Sequence, residues 1–156
     1  MMNEVKTHVI VGVEIDALWK ALSKEMRFVI PKIIPNLVKS VEIIEGDGGI
    51  GTVFLFSFGS DVEMMSHQKE KIVELDESAH QIGIQVVEGG HLNHGFSFYQ
   101  TTFQLSAIEE HRTQVNVKVL YESATEERTM PSKTTASALS FISSLENYLL
   151  HGASKK

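Results

Sequence analysis

The chain has 156 residues, a formal net charge of −6 at pH 7 and no cysteine. An acidic chain without a basic run is a poor nucleic-acid binder, because neutralising phosphates supplies most of that affinity. No disulfide framework is possible, and neither a membrane span nor a signal peptide is visible. We expect a single domain over 1–156, cytoplasmic, monomeric or weakly dimeric, with no membrane or nucleic-acid partner.

The first forty residues predict one strand and two short helices. Val5, Thr7, Val9, Val11 and Val13 are β-branched residues at every second position, which indicates a strand. Apolar residues at helical spacing in Ile15–Ser23 predict the first helix, and a second is expected from about 26 to 37. Pro31 and Pro35 limit that second helix, because interior prolines break the hydrogen-bond ladder.

A glycine-rich loop follows a strand at 41–44 and is formed by Gly46, Gly48, Gly49 and Gly51. Its spacing fits the G-x-G-x-x-G dinucleotide fingerprint, which requires a helix after the glycines. The residues that follow, 52–58, are β-branched and aromatic and predict a strand instead. No lysine precedes Thr52, so a P-loop is excluded as well. The loop is therefore interpreted as a hairpin connection.

The remainder of the chain predicts strands and then one long helix. Strand-like stretches lie at 52–58, 66–75, 80–88, 95–107 and 113–121, separated by turn-rich segments. Apolar residues at helical spacing in 138–149 then predict a helix of about 20 residues, roughly 30 Å long. Thr129 or Ser132 would cap its start, and Gly152 would end it. The fold class is α+β, a mainly antiparallel sheet with one face covered by the long helix.

One strand places polar side chains on a face that could be internal. Gln68 and Glu70 alternate in step with Ile72, so all three point inward if Ile72 faces the helix. An inward carboxylate is costly unless it serves a ligand, a partner or water. The alternative is a two-sided strand with Glu70 on the wet face, and the pattern alone leaves both open.

Other catalytic or metal chemistry finds little support. His91 and His94 are the tightest histidine pair, but no third ligand has convincing spacing, so no metal site is predicted. No serine lies in a nucleophile elbow. Lys118 alternates against the buried valines around it and should point to solvent, which leaves a Schiff-base lysine unsupported. No catalytic residue and no cofactor are predicted.

The glycine loop Glu45-Gly-Asp-Gly-Gly-Ile-Gly-Thr52, within this order of elements, resembles the plant pathogenesis-related class 10 proteins, the major birch pollen allergen family. The resemblance runs from Val5 to Leu150. It is closest to the legume cytokinin-specific, phytohormone-binding branch. The stretches that carry this are Asp16-Ala-Leu-Trp-Lys-Ala-Leu-Ser-Lys24, Val29-Ile-Pro-Lys-Ile-Ile-Pro35, Gly83-Ile-Gln-Val-Val-Glu-Gly-Gly90, Tyr99-Gln-Thr-Thr-Phe103 and Val115-Asn-Val-Lys118.

The resemblance implies a helix-grip fold, a seven-stranded antiparallel sheet wrapped around the C-terminal helix with a large apolar cavity inside. It also implies that Gln68 and Glu70 are the polar anchors for a hormone. The predicted ligand-binding residues are Gln68, Glu70, Leu22, Met26, Phe56, Ile84, Val86, Tyr99, Phe103, Ala138, Phe141 and Ile142.

Three positions depart from the hormone binders. Phe141 and Ala138 stand on the long helix where those proteins carry a tyrosine and a threonine, and His91 also stands where relatives carry tyrosine. Each lost hydroxyl removes a hydrogen bond that contributes about 1 kcal/mol. We therefore expect the helix side of the cavity to be more apolar here.

These observations predict a binder of a small hydrophobic plant ligand, a gibberellin or a cytokinin, that is not an enzyme. One alternative is a condensing enzyme like norcoclaurine synthase, which needs an inward lysine that the strand parity does not provide. The other is a storage or stress protein that binds lipophiles promiscuously in plant defence. Ribonuclease activity lacks a basic groove and a paired histidine site.

Overall fold

The computed structural model describes residues 2–35, 37–59, 67–89, 95–123 and 130–151. Within them, strands and helices follow the predicted order: β1 (Asn3–Val11), α1 (Ile15–Ser23), α2 (Met26–Ile33), β2 (Val38–Glu45), β3 (Val53–Phe58), β4 (His67–Asp76), β5 (Gln81–Gly89), β6 (Phe96–Glu109), β7 (Arg112–Ser123) and α3 (Met130–His151).

The strands form one antiparallel sheet in the order β1-β7-β6-β5-β4-β3-β2. Alternating side chains give the sheet an apolar inner face and a polar outer face, as in β7, where Val115, Val117 and Val119 are buried. The inner face packs against the helices, because an apolar sheet face must be covered. The predicted fold class, a seven-stranded sheet with a long C-terminal helix, is confirmed.

The glycine-rich loop is the predicted hairpin connection, between β2 and β3. Gly46, Gly48 and Gly51 all have φ near +90° to +100° (89°, 103° and 87°), a region that favours glycine. A Cβ on Gly46 would lie 2.7 Å from Oγ1 of Thr52, which is fully buried. That Oγ1 accepts a 2.8 Å hydrogen bond from the backbone N–H of Gly48. The glycines thus serve to fold the loop around Thr52.

Some boundaries differ from the sequence predictions. α2 ends at Ile33, not near 37, and its last turn follows Pro31. β1 ends at Val11, although Val13 is still buried, because the chain turns there and the carbonyl of Val13 accepts a 2.7 Å hydrogen bond from Thr113 Oγ1. Thr129 and Gly152, predicted to flank the last helix, lie outside the described residues.

The long helix α3 is held at the side of β1. The backbone N–H of Gly12, just after β1, donates a 2.8 Å hydrogen bond to Glu146 Oε2 near the C-terminal end of α3. Ile142 and Leu145 are buried in the core beneath it. Among the described helices, none is both long and apolar enough to cross a membrane.

Candidate functional site

A cavity of about 280 Å³, partly open to solvent, lies between α2, α3 and the inner face of the sheet. Most of its wall is apolar, and its polar members come from β4, β6 and α3. The wall consists of Met26, Ile30, Ile34, Val38, Phe56, Phe58, Gln68, Glu70, Ile84, Val86, Tyr99, Thr101, Phe103, Thr134, Ser137, Ala138 and Phe141. Such a mainly apolar wall with a few convergent polar groups is typical of a small-molecule site.

Glu70 and Gln68 reach the cavity from β4, where Ile72 is buried on the same face. The wet-face alternative for Glu70 is therefore wrong. Gln68 Nε2 donates a 2.5 Å hydrogen bond to Glu70 Oε2, so the two side chains form one polar unit. Opposite them on β3 lie Phe56 and Phe54. The carboxyl group of Glu70 therefore has aromatic residues as its neighbours on β3.

A bulge explains why the next acidic residue of β4 is not also internal. The β4–β5 pairing shifts between Ile72 and Glu74, which leaves Val73 as the extra residue. Glu74 consequently lies on the outer face, where it accepts hydrogen bonds from Gln81 Nε2 at 2.9 Å and Gln100 Nε2 at 3.2 Å. The cavity wall therefore carries one carboxylate from β4, not two.

Burial controls the protonation of this carboxylate. Removal from water raises the pKa of Glu70 from 4.5 to about 7, and the hydrogen bond from Gln68 partly opposes that rise. The part of the side chain that stays accessible faces the cavity. Near neutral pH, Glu70 therefore exists in comparable amounts as an acid and as a carboxylate. It can donate a hydrogen bond in one form and accept hydrogen bonds in the other.

Tyr99 is the second ionisable side chain of the cavity wall among the described residues. Burial is the main reason that its pKa rises to about 12, with smaller contributions from the charge of Glu70 and from Tyr121. Tyr99 therefore keeps its proton at physiological pH. Its ring meets that of Phe96 edge-to-face, with centroids 5.1 Å apart. This contact fixes the tyrosine against the wall.

Ten of the predicted ligand-binding residues lie on the cavity wall. They are Gln68, Glu70, Met26, Phe56, Ile84, Val86, Tyr99, Phe103, Ala138 and Phe141. Leu22 and Ile142 do not line it. Both are at most 1% exposed and belong to the packed core. The ligand-binding role of the ten stays a prediction.

Seven wall residues were missed by the sequence analysis. Ile30, Ile34, Val38 and Phe58 are apolar, and no pattern in the sequence separates such residues from ordinary core. Thr101, Thr134 and Ser137 bring three hydroxyls. Thr101 could have been found, since it shares its strand parity with Tyr99 and Phe103.

The helix side of the cavity combines apolar side chains with hydroxyl groups. Phe141 and Ala138 are indeed on the wall, and the Phe141 ring lies 5.9 Å from that of Phe103. However, Thr134 and Ser137 also reach the cavity from the beginning of α3. Thr134 is only 4% exposed, so its hydroxyl is an internal group. That this side is more apolar than in the hormone binders stays a prediction, and Thr134 and Ser137 add two hydroxyls to it.

Lys118 stays away from the cavity, as its strand parity predicted. It lies on the outer face of the sheet, in a groove together with Lys6 and Asn116. No group of three metal-ligating side chains occurs among the described residues. His91 and His94 lie outside the described residues.

Comparison with known proteins places the chain in a plant family. The model of the pathogenesis-related protein Bet v 1 family matches residues 1–152. Norbelladine synthase of Narcissus pseudonarcissus is 29% identical over 113 residues, 72% of this chain and 69% of that protein. Pathogenesis-related protein 2 of Petroselinum crispum is 36% identical over 90 residues, 56% of each. The structure of a truncated norcoclaurine synthase from Thalictrum flavum superimposes with a TM-score of 0.81 over 97% of this chain and 95% of that one, at 23% identity.

These relatives correct one expectation from the sequence. The conclusion that the chain is not an enzyme is wrong, because norbelladine synthase and norcoclaurine synthase, both similar to it, are enzymes. The outward position of Lys118, predicted from its place in the strand, excludes one catalytic lysine from the cavity and does not exclude catalysis by other groups. The match over 1–152 and the helix-grip fold show that this chain belongs to the pathogenesis-related Bet v 1 family, whose fold is a scaffold for small hydrophobic ligands.

Proposed function

We propose that the cavity binds a small, largely apolar molecule whose polar group is held by Glu70 and Gln68. The observation that carries this proposal is the internal carboxylate of Glu70, which faces the cavity and is hydrogen-bonded to Gln68. Keeping a carboxylate in such a place costs stability, and no cation lies opposite it among the described wall residues. A ligand group that replaces the lost hydration gives the carboxylate a function.

The finer proposal is that the ligand is a plant hormone, a cytokinin or a gibberellin. The sequence motifs resemble the phytohormone-binding branch, and Gln68 and Glu70 stand where that branch holds its ligand. A cavity of about 280 Å³ is slightly smaller than the usual range for small-molecule sites, roughly 300 to 1,000 Å³. This size favours the smaller of the two, an adenine with a short side chain.

The protonation of Glu70 predicts opposite pH dependences for the affinities of the two hormones. A cytokinin offers N–H donors and needs the carboxylate, so its affinity should fall about tenfold between pH 8 and pH 6, across the pKa near 7. A gibberellin carrying its own carboxylate needs a protonated Glu70, so its affinity should rise about tenfold over the same range. Isothermal titration of trans-zeatin and gibberellic acid at pH 6, 7 and 8 measures both trends.

The matched variants are Glu70→Gln and Glu42→Gln. Replacing Glu70 should abolish the pH dependence and weaken the cytokinin, whereas Glu42 is exposed on β2 and its replacement should change neither. If Glu70→Gln changes neither affinity, Glu70 does not bind the ligand. Absence of saturable binding by both hormones and by a flavonoid would contradict the proposed function.

A second candidate function is acid–base catalysis on a bound substrate. It is favoured by the pKa of Glu70, about 7, which lies where a general acid or base works best at neutral pH. A norcoclaurine synthase of this fold has been crystallised with dopamine and hydroxybenzaldehyde. Lys118 lies outside the cavity and cannot assist, so we expect any condensation product from this pair to depend on Glu70 as the acid or base, and Glu70→Gln to slow its formation by about 100-fold. Product formation at the uncatalysed rate, followed by chromatography, would exclude this reaction.

A further inference from the structure

The direction of α3 over the sheet is established by two contacts. Near its C-terminal end, Glu146 accepts a hydrogen bond from Gly12, which follows β1 where Val11 pairs with Thr113 of β7. One strand further, Thr113 pairs with Ala107, so this contact lies toward the end of β6.

Further back, the Phe141 ring lies against that of Phe103, four residues before Ala107 on β6. Lower numbers on α3 therefore lie over lower numbers on β6. Thr134 precedes Phe141 by seven residues, about 10 Å along the helix. It consequently lies toward the Tyr99 end of the cavity, away from Phe103.

The sheet shows the same order of polar and apolar side chains. On the inner face, Glu70 of β4 pairs with Val86 of β5. Two residues further along β4, Ile72 pairs with Ile84 of β5, which in turn pairs with Thr101 of β6. One further step along β6, Phe103 pairs with Ile82, which is fully buried. Along this face the carboxyl group of Glu70 is followed by the hydroxyl of Thr101 and then by the ring of Phe103, so the charged group and this ring lie at different levels of the cavity.

From these two orders we infer that the cavity is polarised along its length and takes an amphiphilic ligand in one orientation. The polar head of the ligand lies between Glu70 and Gln68 on β4 and the hydroxyls of Thr134 and Ser137 on α3. Its apolar tail lies against Phe103 and Phe141. This inference rests on the proposed function and adds to it the orientation and the chemical class of the ligand.

The chemistry of each end supports this orientation. A threonine hydroxyl can accept a hydrogen bond even while it donates one, so Thr134 can receive an N–H or O–H of the head group. Ser137 is an exposed residue, which puts the polar end next to solvent. At the Phe103–Phe141 end the two rings face each other, and the nearest hydroxyl on the inner face of β6 is that of Thr101, two residues back toward Tyr99. A hydroxyl buried there would lose its water and find no partner.

A pair of adenines tests the orientation. trans-Zeatin carries a hydroxyl at the end of its side chain, and the matched ligand is the same N6-substituted adenine with a plain isopentenyl chain. With the adenine at Glu70, the tail hydroxyl would lie between Phe103 and Phe141. We expect the plain isopentenyl compound to bind about tenfold more tightly in isothermal titration, the effect of one unpaired hydroxyl.

Three variants assign the effect to the two ends. Thr134→Val should weaken both adenines by the same factor, about fivefold, because it removes a hydrogen bond to the shared head group. Phe141→Tyr should reduce the preference for the plain chain by offering the tail hydroxyl a partner. Thr102→Val is the matched control. Thr102 is similarly buried, at 5% exposed, but lies on the outer face, so both affinities should stay unchanged.

The possible outcomes test the ligand orientation separately from the proposed ligand-binding function. Tighter binding of trans-zeatin, or a Thr134→Val variant that weakens only trans-zeatin, would place the tail at the hydroxyl end and overturn the orientation. If Thr134→Val fails to fold by circular dichroism, Ser137→Ala provides the same comparison. Failure of both adenines to bind the wild-type protein, with gibberellic acid bound, would overturn the inference alone. Failure of all three would overturn the proposed function too.

Discussion

Glu70→Gln is expected to make the unliganded protein more stable at pH 8 while leaving it nearly unchanged at pH 4.5. The folded state raises the pKa of Glu70 from 4.5 to about 7, so between these values the folded chain binds more protons than the unfolded chain. Stability from this group is therefore fully present below pH 4.5 and is lost as the pH rises through 7. The shift corresponds to about 3 kcal/mol at pH 8, since one pKa unit equals about 1.4 kcal/mol.

The amide of the variant cannot ionise, so it avoids this loss. For a chain of this length we expect the melting temperature of Glu70→Gln to exceed that of the wild type by about 6 to 12 °C at pH 8. Scanning calorimetry at pH 4.5, 6 and 8 gives the profile, with Glu42→Gln as the surface control. A difference that stays constant across this range would mean that Glu70 ionises in the folded protein as it does in water.

The same residue shows how far the sequence could lead. Alternation along β4 correctly linked Gln68 and Glu70 to Ile72, because a strand repeats its side chains every two residues. It could not say which face Ile72 occupied, since that depends on the packing of the whole sheet. Nor could it show the bulge at Val73, which moves Glu74 to the outer face. No residue type in this segment marks the bulge in the sequence, and it is defined only by the pairing of β4 with β5.

The long helix shows a second limit. The apolar stripe of 138–149 predicted α3 correctly, but the stripe is wide enough to cover both the core and the cavity wall. Phe141 and Ile142 are neighbours in the sequence, and only the first lines the cavity. The rotation of a helix about its axis is decided by its contacts, here those of Phe103 and Gly12. Thr134 lies four residues before Ala138, in step with the stripe, but a stripe defined by apolar residues does not include a threonine.

The functional class was the least accessible to sequence reasoning. Testing Lys118 by strand parity addressed one catalytic mechanism, and its outward position was confirmed. Enzymes nevertheless occur among the relatives of this chain. A carboxyl group with a pKa near 7 is a product of burial in the folded protein. Its potential as an acid or base could not be read from the identity of residue 70.

Ile142→Ala is expected to destabilise the protein strongly without changing the ligand site. Ile142 has no exposed surface and packs in the core beneath α3. Truncating such a side chain removes buried methyl groups and leaves a void, at a cost of about 2 to 5 kcal/mol. Urea unfolding measures this loss, and Leu150→Ala, at a residue 48% exposed near the end of the same helix, should cost much less.

Ala138→Val provides the opposite change, one turn earlier on the helix. It adds two methyl groups to the cavity wall, which should fill space needed by a ligand and lower affinity about tenfold or more, while stability changes by less than about 1 kcal/mol. Ile142→Ala, measured where the variant is fully folded, should retain wild-type affinity for the same ligand. If it weakened binding as much as Ala138→Val, Ile142 would belong to the wall. Ala138 and Ile142, one turn apart on α3, would then both contact the ligand, whereas their burial and the cavity lining assign Ala138 to the wall and Ile142 to the core.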